Sequence, residues 1–234
     1  MTTRNMAWIS LAIGVAFLVA ATANAATFLI DATHNNGSFE TPVVGPSWYD
    51  GLDGTIYEKW SGAVPTGWST PGTVILCSNG TAADNTVITA SAGSQYAVIV
   101  QYVGSYVIMN LAETFQANST YTLTADIMNA ESTPVPSGAQ MSMADITGTY
   151  RVDLDIATAG TRGVWASRSI VIDTAVSTDF VGRQIAVSLW NPKNTQMGID
   201  NVRLSFEPIP EPATLVLLAP CLIGLLACAR RKRK

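Results

Sequence analysis

The side chains able to do chemistry are few. Among 234 residues there is one histidine, His34, and three cysteines, Cys77, Cys221 and Cys228. That is little material for a nucleophile activated by an adjacent base. Carboxylates remain, and paired carboxylates are the machinery of glycoside cleavage. The tightest central pair, Asp153 and Asp155, stands two apart in the alternating run Arg151-Val152-Asp153-Leu154-Asp155-Ile156. Both acids then share the outer side of a strand, where solvation accounts for them. The run Asp50-Gly51-Leu52-Asp53-Gly54 spaces its acids by three, whereas a calcium loop spaces them by two. From these residues a chain without enzyme activity is expected, with a carboxylate hydrolase as the remote alternative.

Binding chemistry is better represented. Trp48, Tyr49, Tyr57 and Trp60 cluster in a connection rich in Gly and Asp, from Gly45 to Gly67. Exposed rings of this kind stack on the apolar faces of sugars, and Asp50, Asp53 and Glu58 are placed to accept hydrogen bonds from sugar hydroxyls. The competing reading makes Trp48 and Trp60 a packed cap on the end of the domain. The two function classes are therefore a module that binds exopolysaccharide or another glycan, and a structural surface protein with no specific ligand.

The elements that must position these residues are strands. Tyr121 to Ile127, Arg151 to Ile156, Gln184 to Leu189 and Asn201 to Phe206 alternate apolar with polar residues, as half-buried antiparallel strands do. Ala97 to Val100, Tyr106 to Met109 and Ile170 to Ile172 are short continuous apolar runs and read as more deeply buried strands. Clusters of Gly, Asn, Ser, Thr and Pro separate them, and no amphipathic helical stretch intervenes. An all-β antiparallel sandwich over residues 26–208 is expected. Cys77 has no partner there, so this domain relies on its core without a disulfide. The three sequons at Asn36, Asn79 and Asn118 read as plain turn residues.

The charge is uneven. The formal net charge is −4, yet Arg4 and the terminal Arg230, Arg231, Lys232, Arg233 and Lys234 hold six of the thirteen basic residues. The body keeps seven basic against sixteen acidic residues. Such a body has no way to attract nucleic acid phosphates.

The two ends read as addresses. Arg4, the apolar run Met6 to Ala20 and the small-x-small site Ala23-Asn24-Ala25 form a signal peptide over residues 1–25. At the other end Ala213 to Ala229 is apolar apart from Pro220, long enough to cross a bilayer, and the basic cluster keeps its far side cytoplasmic. Pro210-Glu211-Pro212 stands immediately before it as an extended spacer. This order of parts, over residues 209–234, resembles the PEP-CTERM sorting signal of exported bacterial proteins. The resemblance implies processing by an exosortase near Pro210, Glu211 and Pro212, and a membrane-anchored precursor released to the surface or extracellular matrix of a Gram-negative cell.

Five blocks of the body resemble the galactose-binding-like jelly rolls that include many carbohydrate-binding modules. They are Asn36-Gly37-Ser38-Phe39-Glu40, Pro65-Thr66-Gly67-Trp68, Gly93-Ser94-Gln95-Tyr96-Ala97, Phe115 to Leu123, and Ile199-Asp200-Asn201-Val202-Arg203-Leu204. Alternation along the last block, with Val202, Leu204 and Phe206 on one face, places Asp200 on that same core-facing side. A carboxylate there needs a proton or a cation. The resemblance implies a structural Ca²⁺ held by Glu40 and Asp200 with backbone carbonyls. The alternative is that Asp200 caps a turn or pairs with Arg203.

Overall fold

The computed structural model describes residues 26–43, 49–50, 56–57, 60–61, 64–72, 74–81, 87–99, 105–130, 138–157, 161–192 and 195–209, without the side chains of 49–50, 56–57, 60–61 and 80–81. The chain divides into two units, one over Ala26–Glu207 and another made of Met1–Ala25 and Pro208–Lys234. Of the second unit only Pro208 and Ile209 are among the described residues. The signal peptide, the Pro210-Glu211-Pro212 motif and the apolar stretch 213–229 therefore lie outside them. Among the described residues no helix is long and apolar enough to cross a membrane.

The described elements are strands, apart from one short 3-10 turn at Thr178–Phe180. In chain order they are β1 (Thr27–Ile30), β2 (Tyr49–Asp50), β3 (Ile56–Tyr57), β4 (Trp60–Ser61), β5 (Val74–Ser78), β6 (Gly80–Thr81), β7 (Val87–Ile88), β8 (Gln95–Ile99), β9 (Ser105–Thr114), β10 (Ser119–Asn129), β11 (Gln140–Asp145), β12 (Arg151–Asp155), β13 (Ala166–Asp173), β14 (Gln184–Asn191) and β15 (Met197–Pro208). One sheet has seven strands in the order β13-β10-β15-β8-β5-β4, with β1 also pairing with β15. A second has the order β12-β11-β14-β9. Two small ribbons, β2-β3 and β6-β7, complete the set. The expected all-β antiparallel architecture is present.

Alternation explains the main core. Along β10 the side chains of Tyr121, Leu123, Ala125 and Ile127 are buried and those between them are half-buried. They join Val107, Met109, Met141, Met143, Val187, Leu189, Ile199, Val202 and Leu204 in one cluster fed by both large sheets. Trp68 is buried in the same cluster, its ring 5.3 Å from that of Phe39. Burying each large apolar side chain contributes roughly 1.5–3 kcal/mol.

The continuous apolar runs behave differently from one another. Of the run Ala97 to Val100, Val100 lies outside the described residues, and Ala97 to Ile99 is buried on both faces, as expected. In the other two runs alternation persists. Val171 is 58% exposed between buried Ile170 and Ile172, and Tyr106 and Ile108 are half-buried between buried Val107 and Met109. The reason is cover. On β8 the outward Tyr96 and Val98 meet a second apolar cluster with Ile75, Cys77, Ile88, Met128 and Ala130, closed by Ala90 and Trp165. Outward residues of β9 and β13 belong to neither core cluster. The stretch from Thr133 to Val181, without a recognisable block in the sequence, supplies β11, β12 and β13.

The start of the body is locked onto β15. The N–H of Val202 donates to the Gly37 carbonyl at 2.8 Å. A Cβ on residue 37 would come within 2.1 Å of the Val202 carbonyl oxygen, so only glycine fits this approach.

Candidate functional site

The turn between β7 and β8 gathers three carboxylates from distant parts of the chain. Glu40 reaches it from the first block: its carboxylate accepts the N–H of Ser94 at 2.7 Å, the Ser94 hydroxyl at 2.8 Å and the N–H of Gln95 at 2.8 Å. Gly93 makes room for it. Its φ is +74°, and a Cβ there would lie 2.3 Å from the Glu40 Oε1. The Gln95 amide then donates to the Phe39 and Pro42 carbonyls, which completes the clasp.

Asp200 grips the same turn two residues earlier. Its Oδ2 accepts the Ala92 N–H at 2.8 Å and faces the Ser91 hydroxyl at 3.3 Å, while its Oδ1 accepts the N–H of Asn201 at 2.7 Å. Ser91 donates to Asp126 Oδ2 at 2.7 Å, and the Asn201 amide donates to that same oxygen at 2.9 Å. Asp126 and Asp200, 74 residues apart in sequence, thus share one serine.

Asp200 is fully buried, as alternation suggested, but on the opposite face. Asn201 has φ +50°, in the left-handed region, and this breaks the two-residue period of β15. Before the break Met197 and Ile199 face the main core, and after it Val202 and Leu204 do. Gly198 and Asp200 therefore share the outer side. A Cβ at residue 198 would press on Met128 of the second cluster, and Gly198 pairs with Val98 of that cluster. Arg203 does not pair with Asp200; its Nε donates to Asn201 Oδ1 at 2.8 Å.

This setting fixes the electrostatics. Burial pushes the Asp200 carboxyl up to about 7, and the N–H groups of Ala92 and Asn201 with the Ser91 hydroxyl offset only part of that. Two other acids, Asp31 and Asp145, go the other way. Burial raises Asp31 too, but the His34 and Thr33 N–H groups and the Thr33 hydroxyl outweigh it and hold the acid at about 2. Asp145 is lowered as well: burial is overcome by the Thr147 hydroxyl, the Tyr150 N–H and Arg183, whose guanidinium lies 3.8 Å from the Tyr150 ring centroid. Asp200 is thus held where it exchanges a proton near neutrality.

The fit to calcium is partial. Glu40 and Asp200 do come to one turn, as the sequence resemblance implied. Ca²⁺ takes six to eight oxygens, and here N–H and O–H donors already point at both oxygens of each acid. Among the described residues no group of three or more His, Cys, Asp or Glu is arranged to hold a metal.

The remaining site residues are placed only in part. Trp48 lies outside the described residues, and so do the side chains of Tyr49, Tyr57 and Trp60. Tyr49 and Tyr57 are register partners in the β2-β3 ribbon, while Trp60 pairs with Cys77 at the edge of the seven-stranded sheet. Asp153 and Asp155 are exposed on β12, as expected, and Asp153 binds Arg151 at 2.7 Å. Ser91 and Asp126 were not singled out from the sequence. The readable signal was Asn201, since Asn tolerates the left-handed region and so marks a place where parity can slip.

The comparison with curated proteins gives no match. Among solved structures, a cyclase from Fischerella sp. TAU superposes with a TM-score of 0.62 at 17% identity, covering 80% of this chain and 100% of that one. The Stig cyclase Fisc from the same organism, in complex with (3Z)-3-(1-methyl-2-pyrrolidinylidene)-3H-indole, gives 0.62 at 18% identity, covering 79% and 99%. The CBM22-1 xylan-binding domain from Paenibacillus barcinonensis gives 0.45 at 14% identity, covering 80% and 98%. At these identities the likeness to the two cyclases shows the fold alone. The family model for HpiC1-like proteins, described as HpiC1 cyclase, matches residues 31–205, a span that contains all five blocks from Asn36 to Leu204. A family of that description overturns the expectation of a chain without enzyme activity, which rested on the shortage of His and Cys and gave no weight to a single buried acid. The chain belongs to the HpiC1-like cyclase family.

Proposed function

We propose that the chain is a ring-closing enzyme that works by proton transfer through the Asp200–Ser91–Asp126 group. The observation that carries this reading is the buried Asp200 carboxyl, raised to about 7 and joined through one serine to a second, half-buried acid. A group with that pKa both gives and takes protons at neutral pH. With Asp200 protonated, its O–H donates to Ser91, whose own hydroxyl donates to Asp126. Asp200 is closed to solvent, so a substrate meets Ser91 and Asp126, and Asp200 acts through them as a positioning residue and proton store.

Ring closure of this type is an isomerisation. Protonation of a carbon–carbon double bond leaves a cation, a second π bond attacks it to form the ring bond, and a proton returns to the carboxylate. Atoms and charge balance without a cofactor. Trp165 and the exposed Val87 and Val164 lie on the segments bordering the second cluster, a surface suited to an apolar substrate. The related Fischerella cyclases were crystallised with indole compounds, so an indole bearing an unsaturated chain is the first class to test. Incubation of the full chain with such compounds should yield products of unchanged mass and altered chromatographic retention. Asp126→Asn should lower kcat at least tenfold, and Asp200→Asn should flatten the pH profile near 7. Turnover unaffected by both substitutions overturns the reading.

The address readings belong to the same proposal. The chain is exported through residues 1–25, processed by an exosortase near Pro210-Glu211-Pro212, and released to the surface or matrix. Mass spectrometry of the surface fraction should find no peptide containing Arg230 to Lys234, and Glu211→Ala should retain the protein in the membrane. Surface protein that still carries Arg230 to Lys234 points to a plain anchor.

A further inference from the structure

We infer that Asn79 is a self-modification site, where the main-chain nitrogen of Gly80 displaces the side-chain amide and leaves aspartate and isoaspartate. Three Asn residues of the chain are followed by Gly or Ser: Asn36, Asn79 and Asn118. A small following residue leaves its own nitrogen open to approach the Asn side chain. The step balances. The Gly80 nitrogen bonds to Asn79 Cγ, the Cγ–Nδ2 bond breaks, and ammonia leaves with the Gly80 proton. Solvent water then opens the five-membered imide at either carbonyl. One opening gives aspartate, and the other gives isoaspartate, whose main chain runs through Cβ and Cγ.

Geometry separates the three sites. At half-buried Asn36 both reacting groups are held. Its Nδ2 donates to the Thr41 and Thr66 carbonyls at 2.7 and 3.4 Å, and the Gly37 N–H donates to the Asp31 carbonyl at 2.8 Å. At Asn118 the attacking nitrogen is held, because the Ser119 N–H donates to Thr174 Oγ1 at 2.9 Å. Asn79 differs. It is exposed at the bend between β5 and β6, and among the described residues nothing accepts from its Nδ2, so ammonia can leave to solvent. Its Oδ1 accepts the Ala90 N–H at 2.6 Å, a donor placed where negative charge gathers as the nitrogen attacks. The Gly80 N–H has only the β6-β7 ribbon to hold it, where Gly80 pairs with Ile88. A ribbon of two residues is marginal.

The bond to Ala90 also gives the modification a consequence. The Asn79 N–H donates to the Ser94 carbonyl at 3.1 Å while its side chain holds Ala90, so this residue fastens the base of the segment 87–93. Within that segment Ile88 and Ala90 cover the second apolar cluster, in which Cys77 is fully buried. Isoaspartate lengthens the main chain by one carbon and displaces the acceptor. Ala90 is then released and the cover loosens. Neither step uses the acid group, so this site stands or falls apart from the cyclase reading.

The test is peptide mapping by mass spectrometry of the full chain in mild detergent, aged for weeks at mildly alkaline pH. A parallel sample is aged unfolded in guanidinium chloride. Conversion adds about 1 Da and one negative charge. In the unfolded sample Asn36 and Asn79 should convert at similar rates. In the folded sample Asn36 should slow at least tenfold, whereas Asn79 should stay within about threefold of its unfolded rate. Gly80→Ala should slow conversion about tenfold in both samples, since a methyl group then shields the nitrogen. In the converted fraction, separated by its added charge, Cys77 should react with a maleimide at least tenfold faster than in fresh protein. That labelling is read on the Cys77 peptide, apart from Cys221 and Cys228. Protection of folded Asn79 equal to that of Asn36 overturns the proposal. So does undiminished conversion in Gly80→Ala, or a converted fraction in which Cys77 reacts no faster.

Discussion

The two large sheets carry similar apolar residues on their outer faces and put them to opposite use. On the seven-stranded sheet Ile75, Tyr96, Val98 and Met128 vanish beneath Ile88, Ala90 and Trp165. On the four-stranded sheet Tyr106, Ile108 and Trp190 stay half-exposed among polar neighbours. A covered face can hold an acid away from water, and Asp200 sits at the margin of that cover. The other face keeps its rings half-exposed beside polar groups, and only the small Ser142 among them is buried. Similar alternation yields a buried acid on one side and half-exposed rings on the other.

The largest expected effect concerns the covered face. An acid whose folded-state pKa is raised binds its proton more tightly when folded, so its contribution is full below its unfolded value near 4 and is lost as pH rises through about 7. Stability of the body should fall across pH 4 to 7 by an amount on the order of 4 kcal/mol in the limit, and Asp200→Asn should remove that slope in urea titrations. A flat wild-type profile would dissolve the contrast between the faces. Next comes a matched pair of isoleucines. Ile75→Ala should cost about 3 kcal/mol and Ile108→Ala about 1 kcal/mol, because only the first leaves a closed cavity. Equal costs would show that β9 is covered after all.

A smaller effect is expected at the clasp. Gly93→Ala places a Cβ against the Glu40 carboxylate at φ +74°, and should cost about 2 kcal/mol in denaturant unfolding. Glu40→Ala combined with Gly93→Ala should cost less than the separate losses added together, since one substitution removes the clash created by the other. Smallest of all is the response to EGTA. The melting temperature of the full chain should not move, because the Glu40 and Asp200 oxygens are already filled by N–H and O–H donors. A fall on chelation that calcium reverses would restore the ion and remove the proton store.

How much of this could be read from the chain depends on how far each feature reaches in sequence. The strands at Tyr121 to Ile127, Gln184 to Leu189 and Asn201 to Phe206 are local in origin, because alternation is written residue by residue, and they are present in β10, β14 and β15. The burial of Asp200 was also legible. Its side of the sheet was not, since a single left-handed residue at Asn201 shifts the phase. The buried reading of Tyr106 to Met109 failed because cover comes from elsewhere: Ile88 and Trp165, which close β8, have no counterpart over β9 in either core cluster. Ser91 and Asp126 meet across 35 positions, and nothing in the spacing of two common residue types announces that meeting. Weight placed on Trp48, Tyr49, Tyr57 and Trp60 followed local clustering, whereas Tyr106 and Trp190 become neighbours only through the β9-β14 register.

The position of β15 has a consequence in time. It lies inside the seven-stranded sheet, pairing with β10, β8 and β1, and it also carries the Val202 N–H that secures Gly37. The last of the described strands is thus the one that joins β1, β8 and β10 into one sheet. Until residues near 206 emerge, β10 can pair with β13 and β8 with β5, but joining these halves and adding β1 must wait on loop closures spanning much of the chain. Such topology folds slowly. A nascent chain would hold two separate halves of that sheet, and would join them only once the last of the described strands arrived.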